Sequence, residues 1–291
     1  MGKNINYLQI ALDLRRGQWL IHGAESLLPM VNAFLTRSAK APAEAEDYTV
    51  SSFALSESGA PIMGSGQEGQ AARSVIVIPL HGAMTKYDSC DTYGTTRIAA
   101  KMDEFINNPD VVGFIIDIDS PGGAENAISP MVSAIARAKA AGKPVIAHCD
   151  SCYSAAYWVA SQCDAIFADN ALSGFGSIGA FGQILDNRED KSTGFKIITV
   201  YAPESKDKNR AVREALDGKP EKMEEELSIL VQAFHSAIKS GRPSLKADAD
   251  GVMTGATFKA EKAIELGLAD GLASMDECIQ NVFIRAEFSK P

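Results

Sequence analysis

Residues 111–123 read VVGFIIDIDSPGG, and this stretch decides the fold. The run at 111–117 is almost continuously apolar, which is typical of a central parallel strand covered on both faces. At its carboxyl end Pro121 fixes one backbone angle, while Gly122 and Gly123 permit positive φ and the close approach of another chain. The stretch therefore predicts a strand that ends in an open backbone turn, where α/β proteins bind their ligands.

Strands and helices alternate along the chain on both sides of this stretch. Apolar residues at helical spacing predict one helix that Gly142 ends and another that begins near Pro220. The predicted strands and helices lie at 74–80, 111–117, 124–141, 143–148, 164–168, 195–201 and 220–240. This alternation predicts an α/β fold in which helices form layers on a parallel sheet.

A second motif, CYSAAYW at 152–158, follows the first after one helix and one strand. Right-handed β-α-β units place the carboxyl ends of successive strands side by side, so Ser154 is expected to face the glycine turn. The small residues after it leave room for a substrate backbone, and the Ala155 N–H can point at a developing oxyanion. A serine that begins a helix is more often an N-cap, and only the neighbouring turn favours a nucleophile.

Five motifs in this order resemble one family of peptidases. They are IDIDSPGG, CYSAAYWVASQCDAIFA, GFGSIGAFGQIL, VYAPESKDKNR and MTGATFKAEKAIELGLADGL, and the similarity covers roughly residues 74 to 280. They resemble the signal peptide peptidase A (protease IV) family of serine-lysine peptidases. The resemblance implies the layered β-α-β fold of the Clp protease and crotonase superfamily, with a C-terminal helical segment and an N-terminal extension.

The resemblance also implies a catalytic set. Ser154 would be the nucleophile, Lys206 the general base, and Ser177 a hydroxyl that orients the lysine amine. The N–H groups of Gly123 and Ala155 would form the oxyanion hole. Two alanines follow the serine where the family usually has two glycines, which narrows the pocket but keeps the N–H. The implied reaction is hydrolysis of a protein or peptide substrate by a homo-oligomer, with no metal or nucleotide cofactor.

A lysine that acts as a base has to lose its charge. A free amine has a pKa of about 10.4 and a useful base one of about 7 to 8, so a dry environment is required. Lys208 and Arg210 lie near Lys206 and would favour the neutral amine, whereas Glu204 and Asp207 would oppose it. We therefore expect Lys206 to be buried, and Lys208 is the alternative base.

Other catalytic interpretations stay open at the level of sequence. A Ser-His-Asp triad would use His81 or His148, although each is more simply interpreted as a strand-end residue bonded to backbone. A crotonase-like acyl-CoA enzyme would use a carboxylate such as Glu125 and would bind a nucleotide. A scaffold without catalytic activity is the third alternative.

Two motifs imitate other kinds of site. GFGSIG at 174–179 matches a dinucleotide fingerprint, but the segment before it is polar and the helix after it is weak. Its glycines are interpreted as a tight turn that carries Ser177 toward Lys206. Cys149 and Cys152 have CxxC spacing, but a second pair at metal spacing is missing, so they are interpreted as reduced structural thiols in a reducing compartment.

Composition excludes several classes of protein. The chain has 291 residues, of which 46% are hydrophobic, enough for a full core. With 28 basic and 37 acidic residues, its net charge of −9 argues against nucleic-acid binding. No apolar run approaches the about 18 residues of a spanning helix, and the N-terminus lacks a signal-peptide core. No membrane anchor and a cytoplasmic location are therefore expected.

The chain is predicted to divide near residue 73. Residues 1–73 are interpreted as an N-terminal extension and linker, with an amphipathic stretch at 23–35 and a segment rich in Ala, Ser, Gly and Glu at 38–73. Residues 74–291 are the predicted peptidase domain. A single repeat with a short extension resembles the phage or prophage branch of the family, which processes capsid or scaffold proteins, so association with a phage prohead is expected. A bacterial housekeeping peptidase that acts on signal peptides is the alternative.

Overall fold

A mixed β-sheet covered by helices forms the centre of the protein. The computed structural model describes residues 18–22, 48–56, 58–63, 73–88, 92–182, 184 and 200–288. The amphipathic stretch predicted at 23–35 lies outside these residues, as do residues 195–199 of the strand predicted at 195–201. Within the described ranges no helix is both long and apolar enough to cross a bilayer.

The strands of the described residues are β1 Gln18–Ile21, β2 Ser51–Leu55, β3 Pro61–Met63, β4 Ser74–His81, β5 Val111–Ser120, β6 Gly122–Ala124, β7 Val145–Tyr153, β8 Ala165–Ala168, β9 Gly174–Gly176, β10 Phe181–Gly182, β11 Thr257–Lys259 and β12 Gly271–Leu272. The helices are α1 Thr95–Ile106, α2 Ile128–Ala140, α3 Ala155–Ala160, α4 Arg210–Leu216, α5 Glu221–Gly241, α6 Ala260–Leu266 and α7 Met275–Phe288, with 3₁₀ turns at Glu125–Ala127 and Pro203–Ser205.

The main sheet has the strand order β11-β9-β7-β5-β4-β2-β3, and β8 pairs with β7 and β12. Strands β4, β5 and β7 run parallel to one another. Strand β7 forks, because its first half pairs with β8 and its last three residues pair with β9. The predicted α/β fold with a parallel central sheet is therefore confirmed.

Strand β5 is buried on both faces, as its apolar sequence predicts. Phe114 and Ile116 belong to the larger core cluster, which α1 and α2 cover. Ile115 belongs to a second cluster on the other face, together with Val282 of α7. Each of these three β5 side chains is fully buried. The sheet is thus sandwiched between helices, and the glycine turn at the end of β5 is positioned by both cores.

The helix predicted at 124–141 begins later in the structure. Gly122 has a φ of 97°, and the chain continues in extended form through β6 before the 3₁₀ turn and α2. Backbone pairing holds it there, since the Met84 N–H donates to the Gly122 carbonyl and the Ala124 N–H donates to the Met84 carbonyl. The other edge of this extended segment pairs with β1.

Part of the predicted linker at 38–73 is β structure. Strand β2 pairs antiparallel with β4, and β3 pairs with β2, so the interpretation of these residues as linker is wrong. The hydroxyl of Tyr48 donates to the Pro79 carbonyl at 2.6 Å and fastens the start of this segment to the sheet. The alternation in SSFAL is weak because only Ala54 is buried. The division of the chain near residue 73 stays a prediction.

The long helix predicted at 220–240 is α5, which packs on the same domain. Its Phe234 is fully buried and stacks on Trp158 of α3, with ring centroids 4.7 Å apart. At its end the buried Arg242 forms an ion pair with Asp270, whose other oxygen accepts a hydrogen bond from the Ile166 N–H. Helix α5 therefore covers the core of its own chain, and it packs against α3 through Phe234 and Trp158.

Candidate active site

Ser154 makes the turn between β7 and α3. Its φ of 54° and ψ of −119° are unusual for a residue with a side chain, and such conformations cost about 1–3 kcal/mol each. The residue is 1% exposed, and its Oγ is buried without a hydrogen-bond partner among the described residues. An N-cap serine would accept a hydrogen bond from the first turn of its helix, and none is present. The N-cap interpretation of Ser154 is therefore excluded.

The glycine turn lies directly against this serine. The hydroxyl of Ser120 donates to the Gly82 carbonyl at 2.6 Å and accepts a hydrogen bond from the Gly122 N–H at 3.2 Å. A Cβ on Gly122 would lie 2.9 Å from both the Ala155 nitrogen and the Tyr153 carbonyl oxygen. Only glycine fits here, at positive φ and with this close approach. The predicted juxtaposition of the turn with the residues flanking Ser154 is thus present.

Gly123 pairs with a strand that the sequence did not reveal. Strand β1 runs antiparallel to β6, with Leu20 opposite Gly123. The His22 N–H donates to the Pro121 carbonyl at 2.6 Å. Hydrogen-bonded pairs alternate along antiparallel strands, so the Gly123 N–H donates to the Leu20 carbonyl. One of the two predicted oxyanion donors is therefore engaged by this chain's own backbone.

Ala155 is the first residue of α3, and its N–H has no partner within the helix. Ser177 lies close by, because the Ser154 N–H donates to the carbonyl of Gly176 at 2.8 Å. Ser177 is half-buried with a φ of 54°, and its N–H donates to the Ala256 carbonyl. The structure thus brings Gly123, Ser154 and Ala155 together. Ser177 follows Gly176, the residue whose carbonyl binds the Ser154 N–H.

Lys206 follows the 3₁₀ turn and is exposed. The Lys206 amine does not hydrogen-bond to the Ser154 hydroxyl, which lacks a partner within the part of the chain that the structure describes. The Lys206 carbonyl accepts a hydrogen bond from the Arg213 guanidinium, and the side chain lies in a surface pocket among charged residues of α4. The burial expected of Lys206 is absent within a single chain, and the alternative base Lys208 is exposed as well.

The two candidate histidines of a triad bind a carboxylate instead of Ser154. His81 Nε2 lies 3.0 Å from Asp117 Oδ2, and His148 Nδ1 lies 2.9 Å from Asp117 Oδ1. Burial favours the neutral acid, but the hydrogen bonds from both histidines hold the pKa of Asp117 well below its usual range. The hydrogen bond to Asp117 raises the pKa of His81. Their interpretation as residues bonded to backbone is wrong.

Sequence reasoning missed Asp117 although a signal was present. It is an acid inside an apolar strand, and the register places His148 directly opposite it. His148 Nε2 also lies 3.2 Å from Asp169 Oδ1, outside hydrogen-bond geometry. The cluster lies on the face of the sheet that α7 covers, since Asp117 shares the parity of Ile115.

The cysteines near Ser154 are buried free thiols. Burial raises the pKa of the Cys149 thiol well above its usual value, so it stays protonated and is a poor nucleophile or metal ligand. Glu125, the carboxylate base of a crotonase-like alternative, is exposed in its 3₁₀ turn. Neither observation supports a second chemistry beside Ser154.

The model for peptidase family S49 matches residues 137–288, more than half of the chain. The chain belongs to peptidase family S49. This confirms the family resemblance, and S49 is a family of serine peptidases. The S49 match contains Ser154, Ser177 and Lys206, whereas Gly123 lies before it.

Individual relatives of this S49 chain are distant. It is 25% identical over 210 residues to Protease 4 of Salmonella typhi, a match that covers 71% of this chain and 34% of that protein. The chain therefore spans about a third of the length of this curated relative. Among solved structures it is similar to the 1510-N membrane-bound stomatin-specific protease in complex with a substrate peptide, at 18% identity over 69% of this chain and 76% of that one, with a TM-score of 0.42. An enoyl-CoA hydratase from Shewanella pealeana matches at 14% identity over 74% of this chain and 71% of that one, with a TM-score of 0.42.

Proposed function

We propose that this chain is a serine endopeptidase that hydrolyses peptide bonds with Ser154 as the nucleophile. One observation carries the proposal: the Ser154 hydroxyl is buried, unpartnered and held in a strained turn against the glycine turn at Gly122. Unpaired buried groups and strained backbone persist where function requires them. Membership of family S49 supports the same chemistry.

The proposed reaction is an acyl transfer in two steps. Ser154 Oγ attacks the substrate carbonyl carbon while its proton passes to the neutral amine of Lys206, which Ser177 orients. The N–H groups of Gly123 and Ala155 donate hydrogen bonds to the oxyanion. The C–N bond then breaks as the Lys206 ammonium returns the proton to the leaving amine. Water attacks the acyl-enzyme by the same route and releases the second product.

Lys206 can act as a base only if something covers its exposed side chain. A lysine amine in water is protonated at neutral pH, so a lysine base has to be desolvated. Lys206 is exposed within one chain, and we propose that a second copy of the chain covers it and presents its own Ser154. The predicted homo-oligomer would then be needed for catalysis, because each site would combine residues from two copies.

Point variants test the proposed dyad, and they also test whether its two residues come from different copies of the chain. Ser154→Ala and Lys206→Ala should each lower the hydrolysis of an internally quenched peptide by at least about a thousandfold. Lys208→Ala, the matched control two residues away, should stay active. Co-assembled Ser154→Ala and Lys206→Ala chains should regain activity, since one copy supplies the serine and the other the lysine. Turnover by Ser154→Ala would contradict the nucleophile, and an inactive His81→Gln variant beside an active Lys206→Ala variant would favour a triad.

The physiological substrate that we propose is a phage capsid or scaffold protein. The support is the resemblance of the sequence to the phage branch of the family. Terminase and portal genes beside the gene for this chain would agree with the proposal. A neighbourhood of bacterial housekeeping genes would contradict it.

A further inference from the structure

Strand β1 lies beside the glycine turn that contacts the residues flanking Ser154. It lies between β6 and β10 and pairs antiparallel with both, in a three-stranded sheet separate from the main one. Its partners lie far along the chain, with Trp19 opposite both Ala124 and Phe181. An extended peptide that adds to free strand edges gains affinity from main-chain hydrogen bonds and specificity from its alternate side chains. Here the chain supplies such a peptide itself.

The Leu20 carbonyl lies where a reacting carbonyl would stand. It accepts the hydrogen bond of the Gly123 N–H, as the register requires. The Leu20 oxygen and the Ala155 nitrogen lie 2.2 and 2.9 Å from the point where a Cβ on Gly122 would be. The carbonyl is therefore next to both proposed oxyanion donors, and one of them binds it.

The flanks of Leu20 fix the same register. The Leu20 side chain is fully buried in the larger core cluster, and Ile21 is 3% exposed. The His22 ring contacts the ring of Tyr153, with centroids 4.6 Å apart. Tyr153 immediately precedes Ser154, so this contact holds the segment beside the proposed nucleophile.

We infer that residues 18–22 are an internal peptide ligand that occupies the substrate groove and has to leave before another peptide binds. The inference rests on the proposed function for the identity of the groove. It also defines the class of substrate, which is an extended peptide that pairs with β6 and β10. Such a peptide presents a leucine-like residue in the Leu20 pocket, with its carbonyl at Gly123.

Displacing the internal segment should strengthen the binding of an added peptide. A tethered segment competes at an effective concentration of about millimolar, so a micromolar peptide binds weakly to the native chain. Leu20→Asp puts a charge in a fully buried position and expels the segment. The apparent affinity for an added peptide should then rise by at least about tenfold, because the binding-competent state becomes populated.

Binding is measured without catalysis, in chains that carry Ser154→Ala. A fluorescein-labelled peptide with the sequence GQWLIHGA of residues 17–24 is titrated by fluorescence anisotropy. We expect tighter binding to the chain that also carries Leu20→Asp. The matched control is Leu172→Asp, because Leu172 is 74% exposed, and it should leave the affinity unchanged. Equal affinity in all chains would overturn the inference. Since no turnover is measured, a failure of the proposed dyad would not alter this result.

A reversible crosslink provides a second measurement that does not depend on how Leu20→Asp folds. Trp19 and Ala124 are a non-hydrogen-bonded antiparallel pair, whose Cα atoms lie about 4.5 Å apart in such sheets, within the range of a disulfide. Trp19→Cys with Ala124→Cys should lose peptide binding when oxidised and regain it on reduction. Equal binding by the oxidised and reduced forms would refute the internal ligand.

Discussion

Replacing Ser154 with glycine should stabilise the fold while it removes the proposed nucleophile. The side chain imposes two penalties on the native state, because its φ of 54° is strained and its hydroxyl is buried without a partner. Glycine removes both penalties, since it adopts positive φ freely and carries no hydroxyl. Alanine removes only the hydroxyl, so the two variants separate the two effects.

The magnitude follows from the separate contributions. Relief of the strain contributes about 1–3 kcal/mol, and removal of an unsatisfied buried hydroxyl contributes about 1–3 kcal/mol. The extra freedom of glycine in the unfolded chain subtracts about 0.5–1 kcal/mol. With about 2 kcal/mol for the strain and the lower value of about 1 kcal/mol for the hydroxyl, we expect Ser154→Gly to raise the free energy of unfolding by about 2 kcal/mol and Ser154→Ala to raise it by about 1 kcal/mol.

Urea denaturation at a fixed protein concentration measures the effect. With an m-value of about 3 kcal/mol/M, Ser154→Gly should move the unfolding midpoint up by about 0.7 M. The matched control is Ser161→Ala at the end of the same helix. The Ser161 hydroxyl is equally buried, but it donates to the Trp158 carbonyl at 2.7 Å and accepts a bond from Gln162. Its loss should lower the free energy of unfolding by about 1 kcal/mol.

The opposite order would refute the reasoning. If Ser154→Gly is no more stable than the native chain, the turn is not strained by its side chain. If Ser154→Ala and Ser161→Ala are equally destabilised, the Ser154 hydroxyl has a partner in solution. In either case the signature of a nucleophile held in readiness would be lost.

Two further predictions concern charged groups away from the serine. The hydrogen bond to Asp117 raises the pKa of His81, so its stabilising contribution is complete below pH about 6.5 and is lost as pH rises through the raised value. Melting temperatures of the native chain and His81→Gln should therefore converge between pH about 6 and about 9, and a constant difference would contradict the coupling. Asp270→Ala leaves the buried Arg242 guanidinium unpaired and should lower the free energy of unfolding by about 3 kcal/mol. Glu265→Ala, which breaks an exposed pair with Lys262, should change it by less than about 0.5 kcal/mol, and equal losses would contradict the role of burial.

The central sheet and the turn beside the serine were predictable because both are encoded locally. The apolar run of β5 predicts burial on both faces, and the handedness of β-α-β units places Ser154 beside the strand that ends at Gly122. The strain at Ser154 was not predictable, since a serine before a helix also fits an ordinary N-cap. Only its dihedral angles and its unpartnered hydroxyl distinguish the two cases.

Strand pairing between residues far apart in the sequence was not predictable from the sequence. Strand β1 is four residues long, and its partner β6 follows about a hundred residues later, so no local periodicity reveals the pair. The two histidine partners of Asp117 were overlooked as well, since they come from β4 and β7, although an acid in an apolar strand is itself a signal. The burial expected of Lys206 is absent from a single chain, and the sequence pattern around it does not reveal its exposure. Local patterns thus predicted the central sheet, whereas the pairing of β1 with β6 became evident only in the structure.

The order of β1 and β6 along the chain has a consequence during synthesis. Translation proceeds from the amino end, so the residues of β1 leave the ribosome before the glycine turn and the serine have been made. When the central sheet folds, a strand that fits the new cleft is already attached and close at hand. On the inference that β1 occupies the substrate groove, a newly made chain would have its active site covered. Neighbouring polypeptides on the same polysome would then not be cleaved.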